Sequence, residues 1–200
     1  MLREKQDKLP SIISQIAEKD HFVVYCGDGR LFDNNTGEEI RHIQSVKKML
    51  NEFEYKASQF TATENMQERM ILVDSFNKGE ISALAAIRCL DEGINIPSIK
   101  SALILSSNDE YREFVQRRGR ILRTYKGKEY AKIYDVIALP STDMDQWAKI
   151  ELRRFNEYAK LAKNWNKLHD ELEDLLIQYG LSQEDIDVYD YEEMEDYESE

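Results

Sequence analysis

Phe22-Val23-Val24-Tyr25-Cys26-Gly27-Asp28-Gly29 decides how this chain folds. Five apolar side chains in succession do not suit a half-exposed strand, which would alternate polar and apolar residues, and the run is too short for an amphipathic helix. It reads as a strand buried on both faces that stops at a glycine turn. Such strands belong to parallel sheets covered by helices. The turn that ends this one is then a loop on the sheet's carboxyl edge.

The chain on either side fits that frame. Upstream, Leu9, Ile12, Ile13 and Ile16 recur at helical spacing around Pro10, predicting a short leading helix within residues 1–20. Downstream, a polar loop passes through Asn34 and Asn35. Thr36 and Glu39 form a capping box for a helix whose face is Ile40, Ile43, Val46, Leu50 and Phe53. Tyr55 to Phe60 offers a second strand ending at Thr61, which with Glu64 suits a cap for the next helix. That helix shows Met66, Met70, Val73 and Phe76 on one face and Gly79 as its stop. Ser82 to Ile87 is a small-residued strand suited to the sheet centre, and Ala102 to Leu105 a fourth. Ser107 with Glu110 opens a short helix, and Ala131 to Leu139 makes the last strand before Pro140.

Strand and helix alternate four times with short connections, the signature of an open α/β sheet covered on both faces. The expected domain is residues 21–140. Its functional loops begin at Gly27, Thr61, Arg88 and Ser106 and gather on the carboxyl edge. From Asp143 to Tyr179 there is neither Gly nor Pro, and Trp147, Ile150, Phe155, Tyr158, Leu161, Trp165, Leu168, Leu172 and Leu176 make an apolar stripe. The helical extension, residues 141–180, either breaks into a hairpin or reaches toward a protein partner. Its tryptophans read as packing residues. Gly180 ends it, and residues 181–200 read as a mostly disordered acidic tail.

The net charge of −12 is unevenly placed. Residues 170–200 carry 14 of the acidic side chains and no Lys or Arg, so residues 1–169 hold 27 basic groups against 25 acidic ones. A nearly neutral body with a local basic cluster remains compatible with a polyanionic partner. Cys26 and Cys89 lie in apolar surroundings and suit buried thiols in a reducing cytoplasm, and with three scattered histidines they make no zinc pattern. No apolar run approaches the roughly 20 residues of a membrane span.

Four of five arginines between Arg112 and Arg123 fall within Gln116-Arg117-Arg118-Gly119-Arg120-Ile121-Leu122-Arg123. Guanidinium groups so crowded repel one another unless an anion lies opposite, and their planar forks match a phosphate. A solvated basic helix end is the plainer alternative, but it leaves Gln116 and Gly119 unexplained.

Together, Phe22 to Gly29, Met66-Gln67-Glu68-Arg69 with Phe76, Ala86 to Pro97 (A-I-R-C-L-D-E-G-I-N-I-P) and Gln116 to Arg123 resemble the second RecA-like domain of superfamily 2 helicases and translocases. The last two segments resemble motifs V and VI. The resemblance covers about residues 8–140 and looks closest to the branch that includes type III restriction and repair-type DEAD/DEAH helicases. It implies an α/β fold, a RecA-like, mostly parallel sheet covered by helices, with a C-terminal helical extension. It also implies that ATP and Mg2+ are held only together with an N-terminal RecA-like domain. Arg120 and Arg123 would be arginine fingers facing the γ-phosphate, with Gln116 hydrogen-bonding nearby. Gly93, Asn95, Gly119 and Arg117 would border the nucleotide, Gly119 by letting backbone approach closely. One of Arg117 and Arg118 is alternatively a structural ion pair with motif V.

Gly27, Asp28, Thr61 and Arg88 would contact a nucleic-acid backbone, DNA being favoured over RNA. Thr61 is alternatively only a helix cap, and Arg88 an ion-pair partner of Asp91 or Glu92. Two positions depart from the family pattern. Asn95 stands where many relatives carry aspartate, and Ile87-Arg88 where threonine and aspartate often occur.

The sequence contains no G-x-x-x-x-G-K-[ST] loop and no Asp-Glu metal motif at a strand end, so the chain alone is expected neither to bind ATP tightly nor to hydrolyse it. The expectation is therefore half of a nucleic-acid motor. The alternative is a non-catalytic adaptor that uses a RecA-like scaffold to bind proteins.

Overall fold

A computed structural model describes residues 2–33, 38–87, 95–105, 111–141 and 145–187. It divides the chain into two compact units, residues 1–138 and 139–200.

The first unit is built on a five-stranded, wholly parallel sheet. Its strands are β1 (Phe22–Tyr25), β4 (Ala57–Phe60), β5 (Ala83–Ala86), β6 (Ser101–Ile104) and β7 (Lys132–Asp135), in spatial order β4-β5-β1-β6-β7. β1 is the centre. β5 is interior but one place away, between β4 and β1. Small side chains mark a strand covered on both faces, and that condition is met by any interior position.

Side chains alternate between two buried faces. Phe22, Val24 and Cys26, with Ala83, Ala85, Ile87, Leu103 and Leu105, pack against Leu9, Ile13 and Ile16 of the leading segment and Ile43, Val46 and Leu50 of α2 (His42–Glu52). Val23, Tyr25, Leu84, Ala86, Ala102 and Ile104 point the other way and are equally buried. The leading helix α1 (Leu2–Gln15) tolerates Pro10 inside it. Cys26 is a buried thiol whose surroundings push its pKa far up, so it stays protonated. Cys89 lies outside the described residues.

Three local expectations need correction. The segment after Gly29 is a hairpin of its own, β2 (Arg30–Asp33) paired antiparallel with β3 (Glu38–Arg41), so Glu39 and Ile40 are strand residues and α2 starts only at His42. Thr36 lies outside the described residues. Helix α3 (Met66–Asn77) is capped by Asn65, whose Oδ1 accepts from the Glu68 N–H at 3.0 Å while Glu68 Oε2 accepts from the Asn65 N–H at 2.8 Å. Thr61 and Glu64 instead close the turn before it. The proposed core face of α3 is mostly in water: Phe76 is buried, but Met66 and Met70 are about two-thirds exposed. Apolar residues on several sides of α3 made one stripe look more decisive than it is. Gly79 follows the helix with φ 76°, a left-handed turn that glycine adopts without strain.

In the second unit the long helical stretch breaks into α5 (Asp145–Ala159) and α6 (Trp165–Tyr179), which pack on each other. Folding back lets the leucine stripe cover itself. Leu152, Leu172 and Leu176 form a core with Ile186. Ile186 belongs to α7 (Gln183–Ile186), opened by a Ser182–Asp185 box, so ordered structure runs past Gly180. Trp147 is half exposed, and Trp165 stacks on His169 with ring centroids 4.8 Å apart. Among the described residues no helix is long and apolar enough to cross a membrane.

Candidate functional site

Because all five strands run the same way, their last residues align as Phe60, Ala86, Tyr25, Ile104 and Asp135 across the carboxyl edge. The chain builds β4 and β5 on one side of β1 and then crosses to build β6 and β7 on the other. Such a reversal leaves a crevice outside the strand ends where connections diverge, the usual ligand position in open α/β sheets. Gly27 after β1 and Thr61 after β4 both stand on this edge.

The turn after β1 is held from two sides. The exposed Asp28 carboxylate accepts from Arg41 Nη2 at 2.8 Å, and the Gly29 carbonyl accepts from the His42 N–H at 2.9 Å. His42 is fully buried, with Nε2 3.1 Å from Gln6 Oε1, and Gln6 in turn donates to Ser45 Oγ at 2.9 Å. Burial lowers the His42 pKa to about 4 against a smaller opposing pull from the Gly27 backbone, so the ring is neutral at pH 7. A bare carboxylate at position 28 would repel a phosphate, and Arg41 offsets that charge. Sequence reasoning missed Arg41 because its partner lies 13 residues away across the hairpin.

Thr61 is buried. Its hydroxyl donates to Glu64 Oε2 at 2.8 Å, and its N–H reaches the same oxygen at 2.6 Å. A further contact of 2.6 Å joins its hydroxyl to that of Thr63. The residue is therefore part of a closed turn on the carboxyl edge.

The basic stretch occupies the end of α4 (Tyr111–Ile121) and the turn beyond it, which continues through Leu122 N–H to the Arg118 carbonyl and Arg123 N–H to the Arg120 carbonyl. Helical geometry sorts its residues. Arg117 and Ile121 face inward, and both are buried. The Arg117 guanidinium carbon lies 5.3 Å from the centroid of the Tyr25 ring, so this arginine packs on the last residue of β1. Gln116, Gly119, Arg120 and Arg123 fall on another side, where Gln116, Gly119 and Arg123 are exposed and Arg120 half-buried. A Cβ built on Gly119 meets nothing within 4 Å, so packing within the chain does not require glycine there.

Arg123 Nη1 donates to the side-chain oxygen of Asn95, joining the two most distinctive segments of the sequence. Gly93 and Arg88, the other motif V residues singled out, lie outside the described residues. A second tie between the same segments had no signal in the sequence. Lys128 Nζ donates to the carbonyls of Ile121 at 2.6 Å, Arg123 at 2.9 Å and Pro97 at 3.3 Å. One of two lysines in Lys126-Gly127-Lys128, it gives no hint in sequence that three carbonyls converge on it. Desolvation lowers its pKa.

Residues 4–125 match the helicase conserved C-terminal domain family. The chain belongs to that family. Its domain is 33% identical over 76 residues to the DNA 3'-5' translocase XPB2 of Sulfurisphaera tokodaii, covering 38% of this chain and 17% of that protein. It is likewise 33% identical over 81 residues to the DNA 3'-5' helicase XPB of Kineococcus radiotolerans, covering 40% of this chain and 14% of that one. The chain thus spans less than a fifth of the length of these curated relatives. In fold it is similar to the C-terminal domain of the DEAD-box protein Dbp5, with a TM-score of 0.56, 15% identity, and coverage of 86% of this chain and 91% of that domain. The RecA-like α/β architecture is therefore that of a superfamily 2 helicase C-terminal domain.

Proposed function

We propose that this helicase C-terminal domain supplies the arginine-finger half of an ATP-dependent motor that moves along nucleic acid. The observation that carries the reading is the outward-facing set Gln116, Arg120 and Arg123 on one side of α4 and its terminal turn, with Arg123 tied to Asn95. Both guanidiniums offer only hydrogen-bond donors, in a planar fork that fits the chemistry of a polyphosphate. ATP with Mg2+, held mainly by an N-terminal RecA-like domain, would bring the phosphoryl group being transferred. Arg120 and Arg123 would stabilise the charge that develops there, Gln116 would add a neutral hydrogen bond, and Gly119 would admit close backbone approach. Arg117, packed on Tyr25, would border this set from the sheet side and fix the helix that carries it. Gly93 would complete the motif V side.

In the same reading Gly27 and Asp28 line the track of a nucleic-acid backbone along the carboxyl edge, the closed turn at Thr61 borders it, and Arg88 would add a cation to it. DNA is favoured because the XPB relatives are named as DNA translocases and helicases. The same reading keeps the chain with the branch of type III restriction and repair-type helicases that its motifs resemble. The setting would be cytoplasmic, and the α5–α6 hairpin is the candidate surface for a protein partner.

The test joins this chain to a phosphate-loop RecA-like domain and follows nucleic-acid-stimulated ATP hydrolysis. Arg120→Ala and Arg123→Ala should each lower kcat by about 10³-fold or more, with circular dichroism unchanged. Undiminished turnover in both variants would sink the assignment.

A further inference from the structure

The three carbonyls that meet at Lys128 belong to the two backbones whose side chains also meet at Arg123 and Asn95. Ile121 ends α4, Arg123 is the finger candidate itself, and Pro97 lies two residues beyond Asn95. The last carbonyls of a helix have no partner within it and carry partial negative charge, which a cation at the C-terminus offsets. An ammonium with three donors can serve all three acceptors at once, and here it is half-buried. Gly127, with φ 79°, turns the chain so that the next residue can point back at the helix end, and the Lys128 N–H closes the turn onto the Tyr125 carbonyl at 3.0 Å.

We infer that Lys128 is the positioning residue for Arg123: by pinning the Arg123 and Pro97 carbonyls to one ammonium, it fixes the spacing of the two segments and thereby the direction of the Arg123 guanidinium. Its consequence for turnover rests on the finger reading above. The order of the Arg123 side chain does not.

The structural arm uses the 200-residue chain. The Arg123 Nε–H resonance, assigned by its loss in Arg123→Ala, should show restricted motion in {1H}-15N relaxation. Lys128→Met should make it mobile while circular dichroism is preserved, and Lys128→Arg, which returns a cationic donor, should recover part of the order. Should Lys128→Met not fold, the neutral amide of Lys128→Gln decides in its place. An Arg123 resonance equally rigid without the ammonium overturns the inference. The kinetic arm uses the chain joined to a phosphate-loop domain. Lys128→Met should lower kcat by on the order of tenfold to a hundredfold, as for a group slightly misplaced, with KM for ATP within about twofold. If Arg123→Ala leaves turnover intact while Lys128→Met frees the Arg123 side chain, the positioning role stands and the finger role falls. If Arg123→Ala abolishes turnover and Lys128→Met changes neither kcat nor the resonance, the positioning role alone falls.

Discussion

Arg123 gives its Nη1 hydrogen bond to the side-chain oxygen of Asn95, so the last arginine of the basic stretch is tethered to the segment that crosses from β5 to β6. A neutral amide holds the guanidinium in place without cancelling its charge. That combination suits a cation meant to act on a separate anion, and it gives a physical reading of an asparagine where many relatives carry aspartate.

Asn95→Asp should therefore strengthen the tether and weaken the finger. Both side chains are exposed, so the gain in folding stability should be about 0.2–1 kcal/mol and fade with salt. Turnover in the chain joined to a phosphate-loop domain should fall. A variant with the same stability and higher turnover would count against this reading of the pair.

Arg117 should behave differently from its neighbours. Because its guanidinium packs over Tyr25 inside the domain, Arg117→Ala should destabilise the chain by about 2 kcal/mol or more, as expected for a desolvated cation–π contact, and Arg117→Lys should not fully restore it. Arg123→Ala should leave stability within about 0.5 kcal/mol, as for an ordinary surface change. Urea unfolding of the three variants checks the contrast.

His42 supplies a pH signature. Its folded pKa of about 4 lies below the ordinary 6.5, so between those values the unfolded chain binds a proton that the folded chain does not. Stability from this residue is thus complete above about pH 6.5 and is lost as pH falls through about 4. It amounts to at most about 3.5 kcal/mol at about 1.4 kcal/mol per pH unit. Subtracting the unfolding free energies of His42→Gln from those of the parent between pH 4 and 7 should isolate that slope. A flat difference would contradict it.

Ile186 joins α7 to the core of the second unit. Packed with Leu152, Leu172 and Leu176, it should cost about 2–4 kcal/mol when replaced by alanine. Truncation after Gly180 should be at least as damaging when compared with truncation after Asp187, which keeps α7. Equal melting of both truncated chains would show that α7 adds nothing.

The α/β class and the parallel sheet were legible from short-range patterns, and β1 was legible as a buried strand, whereas its place at the centre, expected for β5, was not. A doubly buried strand needs an unbroken apolar run, and a glycine turn must follow it. The same local signals misassigned Thr61 as a helix cap and extended α2 back to Thr36. Thr61–Glu64 and Asn65–Glu68 both have the spacing of a capping box, and only the trajectory of the chain decides which of them opens the helix. The β2–β3 hairpin escaped notice because its strands are short, mixed in polarity and exposed on several sides.

By itself, then, the sequence determined the layered sheet and the chemistry available to it: crowded arginines, a glycine among them, and a neutral amide in the facing segment. Tertiary structure alone decided which arginine serves which end. Arg117 turns inward onto Tyr25 and Arg123 outward to Asn95, because helical geometry places residues six apart on different sides and only one side faces the sheet. It also decided the place of Lys128, whose partners lie 5, 7 and 31 residues away. A lysine's role is set by which carbonyls converge around it, and no periodicity in sequence records that convergence.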